Sequence, residues 1–184
     1  MTKCNSPKGV FPRIEGREVE WNFEGGAVTS DGGSLLVSAV DRRLGLTQNV
    51  ARRLADGRQQ GKVQHSVLAM LRQRVYGLVL GYEDLNDHHD LRHDAGFQTS
   101  VSRDEPLASP STLCRFENTA DRRLAVAVNA ALVEQFIQSQ TSPPDELVLD
   151  FDATDDPVHG MQAGRFFHGY YDGYCFLPLY VFCG

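Results

Sequence analysis

The segment Glu146-Leu147-Val148-Leu149-Asp150-Phe151-Asp152-Ala153-Thr154 places two carboxylates at alternate positions near the end of an apolar run. Along a strand, side chains alternate between faces, so Val148, Asp150 and Asp152 share one face and Leu147, Leu149 and Phe151 the other. Two acids on one face need a compensating positive charge, and at a strand edge where chemistry is done a divalent metal is the usual one. The same residues also fit a solvated strand end, with Asp152, Thr154, Asp155 and Asp156 forming an Asx-type turn before Pro157. Spacing alone leaves the two alternatives even.

Other groups capable of chemistry carry weaker signals. Asp87, His88, His89, Asp90 and His93 form a His-rich cluster, and His89 and His93 are four apart, as helical metal ligands can be. No Cys or further His group accompanies them, so a structural or solvent-facing role outweighs a zinc site. Phe166, Phe167, Tyr170, Tyr171 and Tyr174 have the chemistry to stack on unpaired bases, although aromatics at such spacing more often pack a hairpin. His159, Arg165 and His168 have the chemistry to contact phosphate, and they stay outside the catalytic set. Residues 41–74 hold 8 basic side chains against 2 acids, an excess that can meet phosphates or serve as a solvated helical surface.

The elements that must position these groups fall into three regions. Residues 1–16, with Pro7, Gly9, Pro12 and Gly16, read as a flexible lead. Val19, Trp21 and Phe23 alternate with polar residues, which predicts a short strand before Gly25-Gly26 and a second through Ala27-Val28. Ser30 or Asp31 caps a helix whose apolar face is Leu35, Leu36, Ala39, Val40 and Leu44, with Gly45 as its stop. A longer helix runs from near Gln64 to Gly81. It carries Arg72 and Arg74, so one side can pack while the other meets a partner.

Ser109-Pro110-Ser111-Thr112-Leu113-Cys114-Arg115-Phe116-Glu117 combines a cap, an N-terminal proline and a short amphipathic run. It is similar to the second helix of a helix-turn-helix, which makes Thr112 and Arg115 candidate groove or phosphate contacts, although Leu113 and Phe116 also fit a packed bundle. Asp121 starts a further helix with a predicted buried stripe of Leu124, Val128, Ala131, Leu132, Gln135 and Phe136. The polar, proline-bearing stretch 138–144 is the expected domain boundary. After it come the acidic strand, a loop-rich connection from Gly160 to Tyr174, and a second strand through Tyr174 to Cys183.

Charge follows the same division. Residues 1–140 carry 17 basic and 17 acidic side chains, while residues 141–184 carry 1 and 7, so the net charge of −6 belongs to the C-terminal part. No apolar run approaches the roughly 20 residues of a membrane span, and residues 1–9 lack the apolar core of a secretory signal. The four cysteines make no close-spaced pair. The expectation is a cytoplasmic protein with reduced thiols and no membrane partner.

Asp152-Ala153-Thr154-Asp155-Asp156-Pro157-Val158-His159-Gly160, Gly164-Arg165-Phe166-Phe167-His168-Gly169-Tyr170-Tyr171 and Leu177-Pro178-Leu179-Tyr180-Val181-Phe182 resemble the opening of the catalytic domain of bacterial DDE transposases, most closely insertion-sequence family 1380. Further blocks follow the family's order upstream: Gly32-Gly33-Ser34-Leu35-Leu36, Val40 to Leu46, Gln64-His65-Ser66, Leu71 to Gly77 and Gly81 to His88. Together they cover most of the chain from about residue 20.

The resemblance implies an α+β architecture. A mostly helical DNA-binding domain at 17–140 would precede, at 141–184, the first strands of a ribonuclease-H-like catalytic domain. It implies that Asp152 is the first acid of an Asp-Asp-Glu set, with Asp150 as second choice, and that these acids bind magnesium or manganese in a two-metal site. Arg72, Arg74, Thr112 and Arg115 are the expected DNA contacts, transposon terminal inverted repeats and target DNA the expected partners, and a homo-oligomer the expected working form. Family members are longer, so the second Asp and the Glu are expected beyond Gly184. The chain is then expected to be inactive alone, either as the N-terminal part of a transposase or as a remnant that only binds DNA or assembles.

Overall fold

The computed structural model describes residues 9–14, 17–22 and 29–183. The chain divides into two compact units, Met1–Ser139 and Gln140–Gly184.

In the first unit, β1 (Gly9–Ile14) pairs antiparallel with β2 (Arg17–Trp21), with Val10 opposite Glu20 and Phe11 opposite Val19. Part of the expected flexible lead is therefore a strand. Val10, Phe11 and Val19 supply β-forming side chains, and the ladder hydrogen bonds satisfy a backbone that composition alone assigned to a loop. The strand expected through Ala27-Val28 lies outside the described residues.

Helix α1 (Gly33–Leu44) ends at Gly45, whose φ of 69° is the left-handed conformation that Gly adopts without strain. Its start and its buried face differ from expectation. The N-cap is Gly32, with no side-chain cap, because Asp31 accepts a hydrogen bond from the Tyr82 hydroxyl at 2.8 Å instead. The buried residues are Ser34, Leu35, Ser38 and Asp41, whereas Leu36, Val40 and Leu44 are 61%, 58% and 48% exposed. Partners decide the orientation: Ser38 Oγ donates to the Ser100 carbonyl at 2.7 Å, a contact that a larger side chain would hold apart.

Helices α2 (Leu46–Ala51), α3 (Val67–Val79), α4 (His88–Leu91) and α5 (Ala95–Ser100) complete the central bundle. Ser66 caps α3 by accepting from the Ala69 amide at 3.1 Å, and Asp94 caps α5 by accepting from Phe97 at 2.7 Å. Tyr76, Leu91, Phe97, Val101 and Leu107 form the main core cluster, while Met70, Ala108 and Leu113 form a second.

Helix α6 (Pro110–Glu117) has Ser109 as its cap and Pro at its first position, with Leu113 fully buried. Helix α7 (Arg122–Ser139) begins where Asp121 accepts from the Leu124 amide at 2.8 Å, and it packs on α2. Ala131 is buried on it, but Leu132 and Phe136, expected in the same stripe, are 51% and 37% exposed. The buried arc is narrower than the apolar one, since α7 is apolar on most sides.

The second unit is built from two small sheets. Strands β3 (Leu149–Ala153) and β7 (Leu179–Cys183) pair antiparallel, and β4 (Asp156–Pro157), β6 (Gly173–Phe176) and β5 (Phe166–His168) form a three-stranded sheet in that order. The expected second strand from Tyr174 to Cys183 is thus two strands, interrupted at Leu177-Pro178. Pro178 has no amide hydrogen to continue a ladder, and its carbonyl accepts from Thr154 instead, at 3.2 Å. The connection from Gly160 to Tyr174 also contains β5.

Candidate functional site

Strand β3 owes its position to the ladder with β7, whose register places Asp150 opposite Phe182 and Asp152 opposite Tyr180. Opposed residues of an antiparallel pair share a face, so Asp150, Asp152, Tyr180 and Phe182 lie on one side and Leu149, Phe151, Leu179 and Val181 on the other. The Tyr180 and Phe182 rings stack at 6.3 Å beside the acids. Both carboxylates are exposed. They supply hard oxygen donors, the chemistry that suits magnesium or manganese. Among the described residues no group of three or more His, Cys, Asp or Glu side chains is arranged to hold a metal ion.

The segment after β3 forms β4 against β6, with Asp156 opposite Phe176, and the Val158 amide donates to the Tyr174 carbonyl at 2.9 Å. The aromatics of the connection contact one another: Phe167 meets Tyr174 edge-on at 5.5 Å, Tyr171 meets His168 at 4.9 Å, and the Arg165 guanidinium lies 4.3 Å from the centre of the Tyr174 ring.

In the helical unit, the four basic or polar candidates separate into two pairs. Arg72 lies 3.4 Å from the Asp41 carboxylate and donates to Thr47 Oγ1 at 3.2 Å. Arg74 pairs with Glu117 and donates to the carbonyls of Tyr82 and Glu83 at 3.1 and 2.7 Å. Both guanidinium groups are largely buried and are spent on tying α3 to its surroundings. On α6, Arg115 is exposed and Thr112 half-buried, with the Arg115 guanidinium donating to Thr112 Oγ1 at 3.1 Å.

Thr112 is shared by two adjoining hollows. One, of about 490 Å³, is mostly apolar and is lined in part by Leu54, Arg58, Met70, Arg115 and Phe116. The other is lined by Arg58, Lys62, Gln64 and His65. Three cations, Arg58, Lys62 and Arg115, therefore line the two hollows that share Thr112. Arg58 is partly neutralised, because it donates to both oxygens of Asp56 at 2.7 and 2.8 Å and holds that carboxyl far below the usual range. Lys62 and Arg58 belong to the basic stretch seen in the sequence, but only the fold brings them beside α6. The link between α5 and α6, residues 101–109, is longer than the 3–4-residue turn of a helix-turn-helix.

The His-rich cluster is dispersed. His88 is fully buried while His89 and His93 are exposed. Gln73 Nε2 donates to His88 Nδ1 at 3.3 Å, and burial pushes the imidazole pKa down to about 4. Cys114 and Cys183 are exposed and Cys175 is buried. No described helix is long and apolar enough to cross a membrane.

The model of the family described as Transposase DDE domain group 1 matches residues 11–184. No curated protein and no solved structure shows significant similarity to the chain.

Proposed function

The chain belongs to the DDE transposase family, and from that premise we propose that it recognises transposon-end DNA through its helical unit and contributes Asp152, with Asp150 beside it, to a metal-dependent site for DNA cleavage and strand transfer. Membership of insertion-sequence family 1380 and a ribonuclease-H-like course for the second unit are parts of the same proposal. The observation that carries it is the β3–β7 register, which sets two exposed carboxylates, Asp150 and Asp152, on one face of the strand.

Asp152 and Asp150 would hold magnesium or manganese through their carboxylate oxygens. The bound ions would supply charge neutralisation at the reacting phosphate. Asp150 and Asp152 fix where that charge sits, because the ladder with β7 fixes the strand. DNA contact is assigned to exposed Arg115 and to half-buried Thr112 beside it. Arg72 and Arg74, proposed with them, act from behind by fixing α3, since their guanidinium groups are already paired. The working form is a homo-oligomer on two DNA ends.

A second reading, a DNA-binding or assembly protein without cleavage activity, is favoured by one observation: no third acid joins Asp150 and Asp152 among the described residues. Binding of the chain to terminal inverted-repeat DNA, measured against a scrambled duplex over a range of salt, tests the element common to both. Preference for the repeat with affinity falling as salt rises is expected. Equal affinity for the scrambled duplex would remove end recognition.

A further inference from the structure

Helix α7 carries an apolar seam that no described residue of its own unit covers. Val126, Ala130, Val133 and Ile137 follow one another at spacings of four, three and four, the seam of a two-helix coiled coil. Val126, Val133 and Ile137 are 64%, 53% and 62% exposed, while the opposite side of the helix packs through Ala131. The seam forms a shallow groove floored by the small side chain of Ala130 and flanked by Asn129 and Glu134. Glu134 is turned toward Arg53 in an ion pair and leaves the seam apolar.

We infer that this seam is the contact between two copies of the chain, with their α7 helices antiparallel. Size complementarity supports the occupant. Two copies related by a twofold axis midway along the seam set Ala130 against the partner helix's second valine and Val126 against its terminal isoleucine, so small meets large at one level and two β-branched side chains meet at the next.

Charge selects the direction. Arg122 and Arg123 occupy the first turn, at the positive pole that Asp121 caps, while no cation in the last turn offsets the negative pole. Antiparallel pairing brings these arginines to the negative C-terminal pole of the other helix. A parallel pair would instead place Arg123 against its own copy at the next seam position. The contact locates the self-association in the proposed function and depends on that proposal for nothing else.

Sedimentation equilibrium of the full chain at micromolar concentrations should give a dimer, and Val133→Glu should weaken association by at least about 100-fold by burying a charge in the seam. Unchanged helical circular dichroism would show that the variant is folded. To read direction, the exposed thiols are replaced by Ser and single Val126→Cys and Ile137→Cys proteins are mixed and oxidised. Crosslinking of one variant to the other, in preference to either with itself, is expected. A chain monomeric at all concentrations, a dimer indifferent to Val133→Glu, or preferential self-crosslinking of each variant would overturn the inference. So would a monomer in which Val126→Cys is unreactive to maleimide, since the chain's own residues would then cover the seam. Repeat-DNA binding by the monomeric Val133→Glu protein separates this outcome from failure of the DNA proposal.

Discussion

Gln73 and the backbone of Ala108 exchange two hydrogen bonds: Gln73 Nε2 donates to the Ala108 carbonyl at 2.9 Å, and the Ala108 amide donates to Gln73 Oε1 at 3.0 Å. The side-chain amide thus acts as a strand-like partner for a segment that has no strand, and it satisfies the entry to α6 inside the core. Gln73→Leu would leave both backbone groups buried and unpaired, and should cost about 2–4 kcal/mol. Urea unfolding followed by helical ellipticity measures the loss; a change below about 0.5 kcal/mol would mean water replaces the amide.

Asp41 is the second buried polar hub. It accepts from the Thr47 amide at 2.9 Å, from the Thr47 hydroxyl at 2.5 Å and from the Tyr76 hydroxyl at 2.8 Å, with Arg72 alongside. Tyr76→Phe should cost about 1.5–3 kcal/mol and Asp41→Asn more, with a combined effect smaller than their sum because both remove one bond. A double-mutant cycle checks this, and strict additivity would refute the coupling.

Gly77 offers a reversal of the usual helix rule. Gly→Ala inside a helix ordinarily stabilises by about 1 kcal/mol. Here the added Cβ would lie 2.9 Å from His88 Cε1 and 3.1 Å from Nε2, on a fully buried ring. Gly77→Ala should therefore destabilise, and Gly77→Ala combined with His88→Ala should be less costly than additivity predicts. Thermal melts of the four proteins decide the sign.

The same histidine sets a pH dependence. Its folded pKa of about 4 lies below the ordinary 6.5, so between these values the unfolded chain binds the extra proton. Stability from this group is complete above about pH 6.5 and is lost as pH falls toward 4, by up to roughly 3 kcal/mol. Urea midpoints between pH 4 and 7 should fall more steeply for the natural chain than for His88→Gln.

The proposed DNA site makes a separable pair of predictions. In a transposition-competent protein, Asp152→Asn should reduce strand cleavage by at least about 1000-fold with repeat binding unchanged. Arg115→Ala should weaken binding and reduce the salt slope by about 1, the signature of one lost phosphate contact. Cleavage assays and filter binding on the same proteins check both. Retained cleavage would remove Asp152 from the site.

Several features were legible because they depend on neighbours in the chain. Ser109 and Asp121 start two helices, Gly45 ends one, and the alternation through Asp150 and Asp152 survives in the register of β3, because caps, left-handed glycines and strand alternation are local geometry. Family kinship was legible too, since it resides in the order of short motifs. Tertiary structure alone decided which face each helix buries. On α1, hydropathy favoured Leu36, Val40 and Leu44, yet Ser38 and Asp41 turn inward because Ser100, Thr47 and Tyr76 await them. On α3, charge suggested Arg72 and Arg74 as surface groups, yet Asp41 and Glu117, far away in sequence, claim them. A hydrogen-bond or ion-pair partner supplied from elsewhere in the chain outweighs the periodicity of a single helix, and no local pattern records where that partner will be.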